Sequence, residues 1–124
     1  MEKLDTSAVL RTVQLYVDGY FTGNAEFLKQ AFTEDAVMNG FVEGAFLSTT
    51  ISDYIQGISQ NPSTEERNIP FETAIESVRI CGKTAVVTIT ETNYAGCYNF
   101  WDCFQLILLD EGWKITAKLF TTID

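Results

Sequence analysis

The chain has 124 residues, 46% of them hydrophobic, a length and composition that fit one globular domain spanning residues 1–124 and burying about two-thirds of its unfolded surface. Seventeen acidic against eight basic residues give a net charge of −9, which opposes phosphate backbones and anionic lipid, so neither nucleic acid nor membrane is expected as a partner. The absence of histidine removes Ser-His and Cys-His nucleophile pairs and nearly every catalytic zinc arrangement, and no metal or cofactor is expected.

In chain order, "MEKLDTSAVL" carries charges where a signal peptide needs an apolar core, and no apolar run approaches the ~20 residues of a membrane span, so a cytoplasmic location is expected. From Asp5, a candidate N-cap, Val9, Leu10, Val13, Tyr16, Val17 and Tyr20 recur at helical spacing until Thr22 and Gly23. Asn24 caps a second, short helix with Phe27, Leu28 and Phe32. "AVMNGF" then reads as a short strand breaking at Gly40. Thr50 and Asp53 stand in capping-box relation at the head of a third helix whose apolar side is Ile51, Tyr54, Ile55 and Ile58. The polar "QNPSTEERNIP" holds both prolines and reads as a loop bordering a pocket mouth. Strands follow at about 71–81, 84–95, 97–109 and 113–123, with turns at "CGKT" and "DEGW". The pattern is an α+β domain: three N-terminal helices packed on one face of an antiparallel sheet.

The third of these strands contains a carboxylate in its most apolar run. Tyr98, Phe100, Asp102, Phe104, Leu106 and Leu108 share one face by strand parity, and an uncompensated buried carboxylate costs several kcal/mol. A three-residue hairpin loop at Asp110, Glu111 and Gly112 would pair Leu109 with Trp113, Phe104 with Lys118 and Asp102 with Phe120. Lys118 then lies diagonal to Asp102 on the same face, within reach of an ion pair in an aromatic cavity.

The opposite face would carry Trp101, Cys103, Ile107 and Leu109, joined on the next strand by Trp113, Ile115, Ala117, Leu119 and Ile123. So large an apolar surface predicts a homodimer through the outer sheet face. Cys81, Cys97 and Cys103 show no CxxC spacing and read as buried small hydrophobes.

"VQLYVDGYFTGNAEFLKQAFTEDAVM" resembles the front half of the nuclear-transport-factor-2-like, or SnoaL-like, superfamily, and "FWDCFQLILLDEGWKITAKLF" resembles the closing hairpin of its small bacterial lumazine-binding members. The resemblance implies a cone-shaped fold whose curved sheet and helices enclose a pocket, commonly as a homodimer. It fixes no activity, since the superfold hosts enzymes and binders alike. Against ketosteroid isomerase, Tyr16 matches the oxyanion-binding tyrosine and Asp102 the neighbourhood of the protonated aspartic acid. The general-base position falls on Gly40, with Asn39 beside it, and neither can take a proton. Lys118 stands where that enzyme has a small apolar residue.

The reading is a small-molecule-binding domain for an apolar or aromatic ligand, its pocket lined by Tyr16, Tyr20, Met38, Phe41, Tyr54, Phe100, Asp102, Phe104, Lys118 and Phe120. The alternative is an enzyme of proton transfer or dehydration on a small carbonyl or cyclic substrate, with Tyr16, Asp102 and Lys118 as its candidate catalytic groups.

Overall fold

A computed structural model describes residues 6–124. The expected Asp5 cap lies outside the described residues. Helix α1 (Thr6–Thr22) buries Val9, Thr12, Val13, Tyr16, Gly19 and Tyr20, the three- and four-residue steps of one helix face. Helix α2 (Ala25–Ala31) begins where the Asn24 side chain accepts the Phe27 N–H at 3.2 Å. Phe32, expected on that helix, instead opens strand β1 (Phe32–Val42).

β1 runs through Gly40 without a break. A Cβ there would fall on the carbonyl oxygen of Phe120 in the neighbouring strand, so the glycine permits close approach of two backbones rather than ending the element. Glu43 and Gly44, both at positive φ, turn the chain into β2 (Ala45–Thr50), a strand the sequence did not announce. β2 is an exposed edge strand with no buried residue, so apolar alternation had nothing to mark. Thr50 caps α3 (Ile51–Gln60) by accepting the Asp53 N–H at 3.1 Å.

β3 (Glu72–Cys81), β4 (Thr84–Tyr94), β5 (Tyr98–Leu109) and β6 (Gly112–Ile123) follow the expected boundaries within two residues. The six strands form one curved open sheet in the order β2-β1-β6-β5-β4-β3, antiparallel except that β1 runs parallel to β6. The helices cover one face. On that face Ala85, Val87, Ile89, Phe104, Leu106 and Ile115 join Val9, Val13, Tyr16 and Leu28 in the core.

The β5–β6 hairpin departs from its expected register and then recovers it. The loop is two residues, Asp110 and Glu111, so Leu109 pairs with Gly112 rather than Trp113. A β-bulge between Gln105 and Leu106 then gives β6 one extra residue. Beyond it Phe104 pairs with Lys118 and Asp102 with Phe120, as expected. The bulge also corrects the face assignment. Ile115 is fully buried in the core and Trp113 packs against it, so neither belongs to the outer surface. That surface retains half-buried Trp101, Cys103 and Ile107 and exposed Val37, Phe41, Leu119 and Ile123. All three cysteines are free; Cys81 and Cys97 are exposed near turns rather than buried, and only Cys103 is partly buried. Among the described residues, no helix is long and apolar enough to cross a membrane.

Candidate functional site

Four polar side chains from four elements meet under the helices. Tyr16 comes from the inner face of α1, Glu91 from β4, Asp102 from β5 and Lys118 from β6. Strand parity delivers the last three, because Glu91 follows Ala85, Val87 and Ile89 on the inward face, and Glu91 and Asp102 stand diagonal across the β4–β5 ladder. All four are almost completely buried. Lys118 Nζ donates to the Tyr16 hydroxyl at 2.7 Å, and that hydroxyl donates to Glu91 Oε2 at 3.1 Å. Lys118 Nζ also lies 3.7 Å from Asp102 Oδ2 and 4.4 Å from the centre of the Tyr16 ring.

Protonation follows from the geometry. Counted as two carboxylates, Glu91 Oε1 and both Asp102 oxygens have no hydrogen-bond donor among the described residues. Burial, with the Asp102 charge next to it, pushes the Glu91 carboxyl well above its ordinary range, and the Lys118 ammonium only partly opposes this. This direction favours a protonated Glu91, whose O–H would supply the donor that the Asp102 carboxylate lacks. The cluster then carries one cation and one anion, the arrangement that avoids an unpaired charge in the core. Burial likewise raises the Tyr16 phenol and keeps it neutral.

Above this cluster lies an open cavity of about 470 Å³. Its walls are Met38, Tyr54, Phe100 and Phe120, which the sequence placed there, Tyr98, whose strand parity puts it on the same face, and Val42, Ala45, Phe46, Leu47, Thr49 and Tyr94, which the sequence did not place there. Among the described residues, Lys118 is the only charged side chain lining it. Tyr16, Asp102 and Phe104 sit beneath the floor: Phe104 packs on Tyr16 at 5.3 Å between ring centres, and none of the three reaches the cavity surface. Phe41 departs furthest from expectation. Its parity on β1 opposes that of Met38, and it lies 48% exposed against Phe46.

Tyr20 also sits away from this cavity. It stacks on Tyr94 at 4.2 Å, and its hydroxyl accepts the Ala95 N–H at 2.7 Å, pinning the β4–β5 turn in which Asn93 and Ala95 take positive φ. Tyr20 instead lines a second cavity of about 310 Å³, walled by Asn61, Pro62, Ser63, Thr64 and Arg67 of the polar loop. Tyr54 and Tyr94 line both cavities, and their hydroxyls are hydrogen-bonded at 2.9 Å.

Glu91 is the residue that sequence reasoning missed. Its signal was present, because the alternation through Ala85, Val87 and Ile89 continues onto it. Among the described residues no group of three or more acidic, cysteine or histidine side chains is placed to hold a metal.

The profile of a family described as "Putative lumazine-binding" matches residues 4–121. Aldolase FrzH from a Cladobotryum species is 25% identical over 114 residues, covering 91% of this chain and 87% of that protein. An NTF2-like protein from Silicibacter pomeroyi superposes with a TM-score of 0.82 at 24% identity, covering 94% of each chain. A ketosteroid isomerase-like protein from Erwinia carotovora atroseptica gives 0.71 at 14% identity, covering 99% of each. With a match over nearly its whole length, the chain belongs to the "Putative lumazine-binding" family, and its six-stranded sheet and three helices, counted among the described residues, share the fold of NTF2-like structures.

Proposed function

We propose that the protein is a small-molecule-binding domain in which the curved sheet and helices form a cone, and that its ligand is a planar aromatic molecule carrying a carbonyl or anionic oxygen. The observation that carries this reading is Lys118, a buried cation at the base of an otherwise apolar, aromatic cavity of about 470 Å³. Apolar walls with a few convergent polar groups are the usual make-up of a ligand site, and a volume of this order suits a bicyclic ring. Asp102 and Glu91 support the reading from below, since they hold the ammonium in place without reaching the cavity. The family's description names lumazine, a bicyclic heteroaromatic with ring carbonyls, and lumazine itself is the first compound to titrate. Native mass spectrometry of the protein as purified, followed by denaturing extraction, tests the reading. A co-purifying small aromatic mass, or saturable binding of lumazine, supports it; an empty cavity that takes up neither lumazine nor simple aromatic acids counts against it.

A second reading is enzymatic. A protonatable Glu91 linked through Tyr16 to Lys118 is a proton path of the kind that isomerases, dehydratases and aldolases need. The similarity to Aldolase FrzH favours a carbonyl substrate for such chemistry. We also propose a homodimer through the outer sheet face, where exposed Phe41, Leu119 and Ile123 lie beside Trp101. Sedimentation equilibrium should return about twice the chain mass of 13.9 kDa; a monomer mass at micromolar concentration would count against the dimer.

A further inference from the structure

We infer that Lys118 is a nucleophilic lysine, able to condense with the carbonyl of an apolar aldehyde or ketone bound in the aromatic cavity to form a covalent iminium. The inference rests on the ligand-site reading and goes beyond it, because a binding cation needs only charge, whereas Lys118 is also equipped for bond making. Lys118 lines the cavity, which places its side chain within reach of a carbonyl compound bound there. Two proton-handling groups flank the same nitrogen: Asp102 Oδ2 at 3.7 Å and the Tyr16 hydroxyl at 2.7 Å. Behind Tyr16 stands Glu91 at 3.1 Å, and among the described residues neither Asp102 oxygen nor Glu91 Oε1 has a hydrogen-bond donor. A structural ion pair has no use for this second, hydrogen-bonded acid on the far side of a phenol.

The step balances within the site. The ammonium passes one proton to Asp102, and the neutral amine attacks the carbonyl carbon, forming the C–N bond while the C=O π electrons move onto oxygen. Tyr16 protonates that oxygen and is reprotonated by Glu91. The carbinolamine nitrogen then gives up a second proton, which returns to the Tyr16–Glu91 pair. The hydroxyl leaves with the proton first lodged on Asp102, as water. Two of the three ammonium protons have gone into water, one stays on nitrogen, and no redox partner is consumed. The iminium keeps the positive charge of the ammonium, so Asp102 faces a cation before and after. Burial in an apolar cavity favours the condensed state by limiting the water that would reverse it.

The test is reductive trapping with 2-naphthaldehyde and cyanoborohydride on the intact protein, read by peptide mapping, with equilibrium binding of 2-naphthoate measured alongside. Within one molecule Lys118 should be labelled at least ~10-fold faster than Lys29, Lys83 and Lys114, because among these four Lys118 is the one that lines the aromatic cavity where the aldehyde binds. Tyr16→Phe should slow trapping at Lys118 by about 100-fold, the loss expected for a general acid, while leaving the other lysines unchanged. Lys118→Arg keeps the cation and should abolish the cavity adduct while still binding 2-naphthoate. Labelling spread evenly over the lysines while 2-naphthoate binds would overturn the iminium and leave the ligand site standing. Even labelling with no 2-naphthoate binding would overturn both. Should Lys118→Arg fail to fold, the ratio of Lys118 to Lys114 labelling in the unaltered protein decides.

Discussion

Replacing Glu91 by glutamine should abolish a pH dependence of stability that the buried cluster imposes. Glutamine mimics the protonated acid, since its carbonyl can accept from Tyr16 as Glu91 Oε2 does, and its NH₂ can donate to Asp102. At low pH the two proteins should therefore be close in stability. In the folded state the Glu91 carboxyl lies well above its ordinary value of 4.5, raised first by burial and then by the Asp102 charge. The unfolded chain loses that proton at the lower value, so above pH 4.5 the native state binds more protons than the unfolded state and stability falls as pH rises. One proton of difference gives a slope of up to about 1.4 kcal/mol per pH unit. Between about pH 5 and pH 7 the wild type should lose up to ~2.7 kcal/mol relative to Glu91→Gln. Urea titrations of both proteins at several pH values, compared as differences so that the shared effect of the −9 net charge cancels, measure this directly. Parallel curves for the two proteins would refute the protonated Glu91, as would a wild type that gains on the variant with rising pH.

Two further perturbations probe the frame around the site. Asp102→Ala leaves the Lys118 ammonium buried without its counter-ion and should destabilise by roughly 3–5 kcal/mol in urea titrations; a variant as stable as wild type would mean that the pair carries no structural weight. Gly40→Ala pushes a Cβ onto the Phe120 carbonyl and should cost about 1–3 kcal/mol or more by parting β1 from β6. A neutral effect would show that the strands separate there at little cost.

Much of this arrangement can be read from the residues, and the places where it cannot have physical causes. Tyr16, Asp102 and Lys118 were placed together by helix phase, strand parity and one hairpin register, all strict periodicities. The register survived a wrong loop length because the bulge opposite Gln105 and Leu106 added back the residue that the shorter loop removed. No local signal marks such a bulge, and it turned Trp113 and Ile115 from the outer face to the inner one. β2 escaped notice because a solvated edge strand has no buried face to pattern. With it went the cavity wall at Ala45, Phe46 and Leu47. Gly40 misled for a related reason, since the demand for a glycine comes from Phe120, eighty residues away in sequence. Glu91 is the most instructive omission: the strand that carries it was drawn correctly, and continuing its alternation by one step would have put a second carboxyl beside Asp102.

The measurement that bears most directly on a ligand site built on Lys118 is the affinity of a simple aromatic carboxylate, 2-naphthoate, for the wild type and for Lys118→Met, by titration calorimetry near neutral pH with the fold of each checked by circular dichroism. A charge-assisted contact of roughly 1.5–3 kcal/mol predicts binding by the wild type that weakens about 10- to 150-fold in the variant. Equal affinities in the two folded proteins, or no binding by either, would contradict the account.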